Sequence, residues 1–519
     1  MPVAWLLSIS DNRNGPASAR LEALPHQDCA EGGSAVDQLF YGDNLDVLRT
    51  HIADESVDLI YLDPPFNSNA SYNILFRSPE GSGADASIAA FDDTWIWGPA
   101  AEEALLDITQ SGNHALHTLI QAMKISIGTN ALMAYLAMMA VRLLELHRVL
   151  KDTGSLYLHC DPTASHYLKL VLDAVFGPRN FRNEIIWCYH KWSIAQGQFV
   201  RNHDVILFYS KRDGEQTFHT QYLPPSPGTM KRWKGKRQQA VFEDGVRKAG
   251  ASDADAQTPM PDWWEISILN PNSKERLGYP TQKPVSLLER IISASSNPGD
   301  TVLDPFCGCG TAVDAAQKLG RSWIGIDVTH LAIGLIEKRL REGYGEEAEF
   351  ETIGVPCDLA SAERLASEDR FQFQTWITLK LGGWPWMGGK KGADKGVDGY
   401  FYYVGAGGPT RTGVISVKAG SNVNPGMLRD LWGVMQRDGH QLGLFVCAAQ
   451  PTRGMEEEAA AHGIVETEFG RFPAMQIFTM GELFQGRLPK LPLLVSPNRR
   501  ASRVETRASH QPGAQGSFL

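Results

Sequence analysis

Short apolar runs alternate with stretches of helical periodicity along most of the chain, and this alternation constrains the fold more than any other feature. The runs that predict strands lie at 39–42, 57–63, 155–161, 183–190, 203–211, 300–306 and 322–327. Helical apolar spacing separates most of them, as at 131–150 and 284–296. Strands that alternate with helices form a mainly parallel sheet with helices on both faces. The sequence therefore predicts an α/β fold.

Several domains are expected, because 519 residues exceed what one ordinary core supports. A polar stretch near 356–368 separates a second alternation, which starts with a predicted helix at 361–381 and ends with one at 453–462. The predicted parts are a flexible lead-in at 1–36, a main domain at 37–350 with an insertion at about 190–278, a smaller α/β domain at 358–486 and a disordered tail at 487–519.

Composition argues against several classes of protein. The net charge of −10 is not that of a chain that is basic throughout, although local charge can still bind nucleic acid. Seven scattered cysteines without a CxxC pair indicate a reducing compartment, and Cys307 and Cys309 predict a packed turn rather than a metal site. The most apolar segment, Ile125–Val141, continues with helical spacing, so it predicts a buried helix and not a membrane span.

The segment Asp58–Asn69 places a carboxylate, two prolines and an aromatic ring at the end of an apolar strand. Proline cannot continue a strand ladder, so the strand stops at Asp63. The Asp63 carboxylate and the Pro64 carbonyl can accept hydrogen bonds from both N–H groups of one amine, and Pro65 helps to hold that carbonyl rigidly. Phe66 offers a flat face on which a base taken out of a helix can stack. The motif therefore suits chemistry at an exocyclic amine of a base.

A second motif at 300–316 reads as a strand, a tight glycine turn and a helix. Gly308 and Gly310 let the backbone approach a ligand closely, and the helix that follows offers free N–H groups. Asp327 ends the next strand, where an acid can accept hydrogen bonds from two ribose hydroxyls. The third glycine of a dinucleotide fingerprint would fall at Val313, so that competing interpretation is incomplete. This part of the chain is predicted to bind a nucleoside-like cofactor.

Together these motifs resemble the beta class of site-specific DNA amino-methyltransferases, in which the catalytic motif precedes the cofactor motif. The matching segments, in the family's order, are FYGDNLDVL (40–48), DLIYLDPPFN (58–67), GSLYLHCDP (154–162), NEIIW (183–187), YPTQKP (279–284), LDPFCGCGT (303–311) and WIGID (323–327). The resemblance implies a Rossmann-like seven-stranded sheet, S-adenosylmethionine as cofactor, double-stranded DNA as partner and no metal in this domain. It also implies a prokaryotic cytoplasmic, nucleoid-associated enzyme of restriction-modification or epigenetic marking, and it is compatible with a homodimer.

The same resemblance assigns roles to individual residues. Those assigned to catalysis are Asp63, Pro64, Pro65 and Phe66. Those assigned to the cofactor are Asp43, Thr281, Lys283, Asp304, Phe306, Gly308, Gly310, Thr311 and Asp327. Aspartate rather than serine at position 63 favours the N6 amine of adenine. Cytosine N4 stays open, because some family members with aspartate there modify cytosine.

A basic cluster lies in the insertion, where the family carries its target-recognition region. The candidate DNA-binding residues are Lys231, Arg232, Trp233, Lys234, Lys236 and Arg237. Five positive charges around one tryptophan on an acidic chain suit contact with DNA phosphates and stacking. The alternative is a solvated loop without a partner.

The smaller domain resembles the PD-(D/E)xK restriction-endonuclease-like core, with Asp398 and Lys418 on adjacent predicted strands. In that core an aspartate and a second acid or glutamine bind Mg²⁺, and the lysine activates water or stabilises charge. Ser416 occupies the second ligand position here, although Asp394 or Glu363 could compensate. Three interpretations stay open: an active nuclease fused to a methylase, a nuclease-like module that only binds DNA, and an unrelated small α/β domain.

Overall fold

The computed structural model describes residues 37–65, 71–76, 86–92, 96–191, 197–234, 236–243, 246–255, 257–270, 273, 275–277, 279, 281–345, 348–386, 396–420 and 422–495. These residues form two compact units. The first contains the described residues of Met1–Tyr72, Ala89–Pro271 and Tyr279–Val355, and the second contains those of Asn73–Ile88, Asn272–Gly278 and Pro356–Leu519.

Up to residue 355 the chain alternates strands and helices. The strands are β1 (Asp37–Tyr41), β2 (Val57–Leu62), β3 (Ser71–Phe76), β4 (Ala86–Asp92), β5 (Leu150–Cys160), β6 (Phe181–Cys188), β7 (His203–Ser210), β8 (Tyr222–Leu223), β9 (Lys236–Glu243), β10 (Val246–Asp255), β11 (Thr258–Pro259), β12 (Trp263–Glu265), β13 (Thr301–Asp304), β14 (Ser322–Asp327) and β15 (Phe350–Ile353). The helices are α1 (Asn44–His51), α2 (Pro99–Gln110), α3 (His114–Ile127), α4 (Ala131–Val149), α5 (Ser165–Phe176), α6 (Pro227–Trp233), α7 (Val285–Ser295), α8 (Thr311–Lys318) and α9 (His330–Tyr344).

The main sheet of the first unit has the strand order β12-β6-β7-β5-β2-β13-β14-β1-β15. Pairing is parallel from β5 to β15, and β7 is antiparallel to both of its neighbours. The sheet thus has nine strands in the part of the chain that the structure describes, where seven were expected. The additional strands, β12 and β15, are segments of three and four residues that pair at the two edges.

Both faces of this sheet are covered by helices, which explains the continuous apolar runs in the sequence. Ile60 and Leu62 of β2 point into a core shared with α1, α3, α4 and α5. Leu59 and Tyr61 point to the opposite face, into a core shared with α7, α8 and α9. A strand that is buried on both faces needs apolar side chains at successive positions, and β2 has them from Leu59 to Leu62.

The segment Ile125–Val141 belongs to two helices rather than one, and the helix predicted at 131–150 is confirmed as the buried α4. Helix α3 ends at Ile127, and Gly128 follows with φ +77°. The Asn130 side chain then accepts a hydrogen bond from Met133 N at 3.0 Å and begins α4. The apolar spacing of the sequence continues from α3 into α4, but the Asn130 cap breaks the helix between them. Among the described residues, no helix is long and apolar enough to cross a bilayer.

Part of the insertion forms small sheets of its own, and part of it adds a strand to the main sheet. Strands β9 and β10 form an antiparallel pair of their own, and β8 pairs with β11. The chain then returns to the main sheet, where Trp263 pairs in parallel with Ile186 of β6. The Trp187 side chain donates a hydrogen bond to Ile266 O at 2.8 Å and fixes this return.

Within its described residues, the second unit has its own five-stranded sheet. Its strands are β16 (Trp384–Pro385), β17 (Gly399–Val404), β18 (Thr410–Lys418), β19 (Gly443–Cys447), β20 (Ile464–Thr467), β21 (Gly470–Pro473) and β22 (Met475–Thr479). Its helices are α10 (Leu359–Glu368), α11 (Arg370–Lys380), α12 (Pro425–Asp438), α13 (Arg453–Ala461) and α14 (Met480–Phe484). The sheet order is β16-β17-β18-β19-β22. One core packs α11 against the sheet, and another packs α12 and α13 against its other face.

Two predictions for this unit need correction. The helix predicted at 361–381 is interrupted at Asp369, whose side chain accepts hydrogen bonds from Phe371 N and Gln372 N and caps α11. The tail predicted to be disordered from residue 487 is ordered as far as residue 495. Val495 N donates to Tyr402 O at 2.8 Å, and Leu494 packs against the core. Residues 496–519 lie outside the described part of the chain.

Candidate functional site

Four strands of the first unit place acidic residues along one edge of the main sheet. Strands β2, β13, β14 and β1 are parallel neighbours, so their carboxyl ends meet at the same edge. Asp63 follows the last residue of β2, Asp304 and Asp327 end β13 and β14, and Asp43 lies two residues beyond β1. The predicted residues of the two central motifs are thus brought to one edge, although 220 residues or more separate them in sequence.

The glycine turn between β13 and α8 is tightly constrained. Gly308 and Gly310 have φ values of +50° and +73°, a region that favours glycine. A Cβ at Gly310 would also come within 2.7 Å of the Ile336 side chain. Gly310 immediately precedes α8, so the free N–H groups of that helix start at the same edge, with Thr311 as the first residue. The N–H groups of Phe306, Gly308 and Gly310 donate within the protein, so the donors left for a ligand are those of the first turn of α8.

Asp327 connects this turn to the next loop. Its carboxylate accepts hydrogen bonds from Gly308 N at 3.0 Å and from both the backbone N and the hydroxyl of Thr329 at 2.9 Å. Burial raises the pKa of Asp327 to about 6, against the lowering effect of these hydrogen bonds. A carboxylate oxygen can accept more than one hydrogen bond, so these contacts do not exclude a further hydroxyl donor.

Asp304 is the most deeply buried acid at this edge, with 4% exposure. Burial raises the pKa of its carboxyl well above the usual value, and the charges of Asp63 and Asp327 raise it further. The hydrogen bond that it accepts from Phe306 N, at 3.1 Å, opposes this shift. The Asp304 carboxyl therefore holds its proton to higher pH than an exposed aspartate does.

Asp43 is held by a cation that the sequence did not reveal. It caps α1 by accepting from Leu45 N at 2.7 Å, and the Arg142 guanidinium of α4 contacts both of its carboxylate oxygens at 2.9 Å. Arg142 also donates to the side chain of Asn44, which in turn donates to Pro305 O at 2.8 Å. This network joins the loop after β1 to the glycine turn, so Arg142 positions both of them.

Asp63 forms an ion pair with Lys283, the lysine just before α7. Only 16% of the Asp63 side chain and 10% of the Lys283 side chain are exposed, so the pair is shielded from solvent. The same ammonium lies 3.5 Å from the carbonyl of Thr281. Pro64 is buried and Pro65 is half-buried beside the carboxylate. Phe66, the predicted aromatic member of this motif, lies outside the described residues.

Behind Asp63 lies a polar chain that sequence reasoning missed. His159, near the end of β5, is fully buried, and its Nδ1 lies 3.1 Å from the Tyr61 hydroxyl and 4.0 Å from the Asp63 carboxylate. Its Nε2 lies 3.2 Å from a carboxylate oxygen of Asp204 at the start of β7. The Tyr189 hydroxyl donates to the other oxygen of Asp204 at 3.1 Å. Burial acts to raise the pKa of Asp204, but hydrogen bonds and charge from His159 and Lys283 outweigh it, so the pKa is lowered.

The candidate DNA-binding residues lie where α6 turns into β9. Lys231 and Arg232 are in the last turn of the helix, Lys234 follows with φ +52°, and Lys236 begins the strand. All four of these side chains are exposed. Trp233 ends the helix and Arg237 lies in the strand. The six predicted residues are therefore grouped by one helix-turn-strand junction.

In the second unit, Asp398 and Lys418 lie together, as predicted. The Lys418 ammonium is 3.8 Å from the Asp398 carboxylate, which also accepts from Val417 N at 2.6 Å. Gln374 of α11 donates to the other carboxylate oxygen at 2.8 Å, and the Ser416 hydroxyl lies 3.4 Å away. The sequence did not predict the glutamine. Glu363 is exposed on α10, and Asp394 lies outside the described residues.

Comparison with known proteins matches the two sites to two different families. Residues 57–338, more than half of the chain, match the DNA methylase family, and residues 378–470 match the restriction endonuclease family. The type II methyltransferase M.EcaI of Enterobacter cloacae is 30% identical over 42% of this chain and 60% of its own length. The DNA adenine methyltransferase YhdJ of Escherichia coli K12 is 26% identical over 61% of this chain and 87% of its own length.

The chain thus spans less than two thirds of the length of M.EcaI. Among solved structures, the complex of M1.HpyAVI with SAM is 17% identical, with 58% of this chain and 98% of that chain covered and a TM-score of 0.31. A likeness at this score adds no argument about the site.

Proposed function

The chain belongs to the DNA methylase family, and on that premise we propose that it transfers a methyl group from S-adenosylmethionine to the N6 amine of adenine in double-stranded DNA. The observation that carries this proposal is the position of Asp63, a shielded carboxylate before two prolines, on the same sheet edge as Asp304 and Asp327. Aspartate at the head of the motif and the likeness to an adenine methyltransferase favour adenine over cytosine.

The residues at this edge suit the proposed cofactor by the chemistry of their side chains. Asp327 is a hydrogen-bond acceptor for ribose hydroxyls, and Asp43 lies on the loop expected to face the cofactor adenine. The residues proposed for the methionine and sulfonium end are Thr281, Lys283, Asp304, Phe306, Gly308, Gly310 and Thr311. When bound, S-adenosylmethionine supplies a methyl group that is activated by its sulfonium charge.

The protein's part in the reaction is to make a poor nucleophile reactive. The lone pair of the adenine amine is delocalised into the ring, so the site must draw the nitrogen towards tetrahedral geometry. Asp63 accepts a hydrogen bond from one N–H group and the Pro64 carbonyl accepts from the other. Lys283 fixes the orientation of the Asp63 carboxylate before the base arrives. Acceptors that are already oriented need no rearrangement during the reaction.

Replacing Asp63 with alanine tests this mechanism. We expect the single-turnover rate of methyl transfer to fall by at least about 10²–10³-fold, the typical effect of removing one preorganised polar group. Cofactor affinity measured by calorimetry should stay within about twofold. Asp46→Ala, which removes an exposed acid from α1, is the control and should keep the wild-type rate. Undiminished transfer by Asp63→Ala would contradict the mechanism.

The acceptor base is tested separately on wild-type protein with labelled cofactor and genomic DNA. Nucleoside analysis should find N6-methyladenine, within one sequence context. N4-methylcytosine as the product would contradict the proposed adenine specificity and show that the enzyme methylates cytosine.

Cofactor affinity should depend on pH through Asp327. Its pKa is raised to about 6, so the carboxyl is protonated below that pH and loses acceptor capacity. Affinity should therefore rise with pH through 6 and level off above about 7. At pH 5 roughly one Asp327 in ten is ionised, which predicts a loss of roughly tenfold.

Calorimetric titrations of cofactor between pH 5 and 8 measure this dependence, which Asp327→Asn should remove. Asp37→Asn is a matched control, because the pKa of Asp37 is also raised to about 6 by burial but the residue begins β1 at the opposite sheet edge. The assignment of the pH dependence to Asp327 fails if cofactor affinity still varies with pH in Asp327→Asn but no longer does so in Asp37→Asn.

We propose that the basic junction contacts DNA phosphates. Its lysines are exposed on a chain of net charge −10, where a local positive patch is the expected footprint of DNA. Lys234→Ala and Lys236→Ala should each weaken DNA binding and lower the slope of log affinity against log salt by roughly one. Lys318→Ala, in which the lost lysine pairs with Glu289, is the control. Unchanged slopes in both test variants would place the DNA elsewhere.

A second candidate function is DNA cleavage by the second unit. It is favoured by the match to the restriction endonuclease family and by the contact between Lys418 and Asp398. Against it stand Ser416 at the second ligand position and the engagement of Asp398 by Gln374 and a backbone amide. The alternative is a nuclease-like module that binds DNA without cleaving it.

Incubation of unmethylated DNA with Mg²⁺ distinguishes the two alternatives. A cleaving enzyme should lose nearly all activity in Lys418→Ala, because the lysine stabilises developing charge, and should keep it in Lys380→Ala, an exposed lysine of α11. Gel electrophoresis of the products is the measurement. Intact DNA with wild-type protein would leave binding as the role of this unit.

A further inference from the structure

The polar chain behind Asp63 has no part in the mechanism above. It consists of Tyr61, His159, Asp204 and Tyr189, which come from β2, β5, β7 and the residue after β6. Every neighbouring pair in this chain lies 3.1–3.2 Å apart. We propose that His159, backed by Asp204, receives the proton that the target amine sheds through Asp63. This inference rests on the proposed methyl transfer.

Burial is the first argument for this role. His159 has no exposed surface, and the edge of Trp187 closes its side at a centroid distance of 5.5 Å and an angle of 86°. Placing an imidazole between two carboxylates in a core is costly, and an apolar residue would pack at lower cost. Titratable groups that are buried together in this way occur preferentially at functional sites.

The hydrogen-bond directions give the second argument. When Nε2–H of His159 donates to Asp204, the lone pair of Nδ1 points towards Tyr61 and Asp63. Nδ1 is then the proton acceptor of the ring. An imidazolium formed there is stabilised by the Asp204 carboxylate, whose lowered pKa keeps it ionised. Asp204 thus fixes the orientation of the ring and stabilises its positive charge from the side that faces away from the reacting amine.

The reaction itself supplies the proton. The amine nitrogen forms a bond to the methyl carbon, and the carbon–sulfur bond breaks with its electron pair going to sulfur. The methylated nitrogen then loses one proton to the Asp63 carboxylate. Asp63 passes that proton to Nδ1 of His159 across the gap of 4.0 Å, which a small side-chain movement closes.

Solvent access gives the third argument. A base held against Asp63 covers the 16% of that side chain that is exposed, so the carboxylate cannot return its proton directly to water. Asp204 keeps 18% exposure at the other end of the chain. The path from Asp63 through His159 to Asp204 therefore leads from a covered carboxylate to a partly exposed one. Asp63 leaves each turnover ionised, ready for the next base.

The test compares His159→Gln with wild-type protein in single-turnover methyl transfer at saturating DNA and cofactor. Glutamine can keep the hydrogen bonds but cannot take a proton. We expect a rate loss of about 10²-fold, with cofactor affinity within twofold and an unchanged melting temperature. His147→Gln, a half-buried histidine of α4 packed on Phe176, should keep the wild-type rate.

The pH profile separates proton transfer from mere positioning. The groups that face His159 are Tyr61 and Asp63 from β2, Trp187 and Tyr189 from the β6 region, and Asp204 from β7, while Lys283 faces it through Asp63. Because glutamine cannot take a proton, the pH profile of His159→Gln should differ in shape from the wild-type profile if His159 transfers protons.

The inference is overturned if His159→Gln transfers methyl groups at the wild-type rate, or if its slower profile superimposes on the wild-type profile after scaling. Should His159→Gln fail to fold, Asp204→Asn decides, since it keeps the imidazole and removes the charge that stabilises its protonated form. A rate loss of about tenfold or more supports the inference and a wild-type rate overturns it. Absence of transfer by wild-type protein would overturn the proposed function and this inference together.

Discussion

Parallel pairing of β2, β13, β14 and β1 is the constraint on which the site depends. Because the four strands run in the same direction, their carboxyl ends and the loops that follow them converge at one edge. That edge collects several acids, and their mutual repulsion must be balanced. Lys283 and Arg142 supply positive charge, and backbone amides of the glycine turn supply hydrogen bonds. The sheet and the charge pattern are therefore parts of one arrangement.

Much of this fold could be predicted from the sequence, because its strands are buried on both faces. Such strands appear as uninterrupted apolar runs, as in Leu59–Leu62. Predictions failed where a single polar side chain decides the structure. Asn130 and Asp369 each end an apolar helical pattern by capping a new helix, and periodicity averages over that effect. The order of residues 487–495 also escaped prediction, because it depends on pairing with a strand far away in sequence.

The residues of the candidate site likewise divide into those that the sequence predicts and those that only the structure reveals. Motif residues such as Asp63, Gly310 and Asp327 were predictable, because their types and spacing relate directly to turns and ligand chemistry. Arg142, His159 and Asp204 were not, since each also fits the ordinary pattern of its helix or strand. Their partners lie 15 to 99 residues away, so only the folded chain reveals the contacts. A histidine between two apolar strand residues was the one available signal, and by itself it is ambiguous.

The ion pair between Lys283 and Asp63 has a consequence for biosynthesis. The two residues are 220 positions apart, so a ribosome needs roughly 10–45 s to complete the second after the first. During that interval β2 lacks its neighbour β13, and one side of an apolar strand awaits a partner. An incomplete chain cannot assemble the site, so no methyl transfer can start from a nascent polypeptide. The edge of β2 that pairs with β13 is therefore open to contact with other chains until β13 is synthesised.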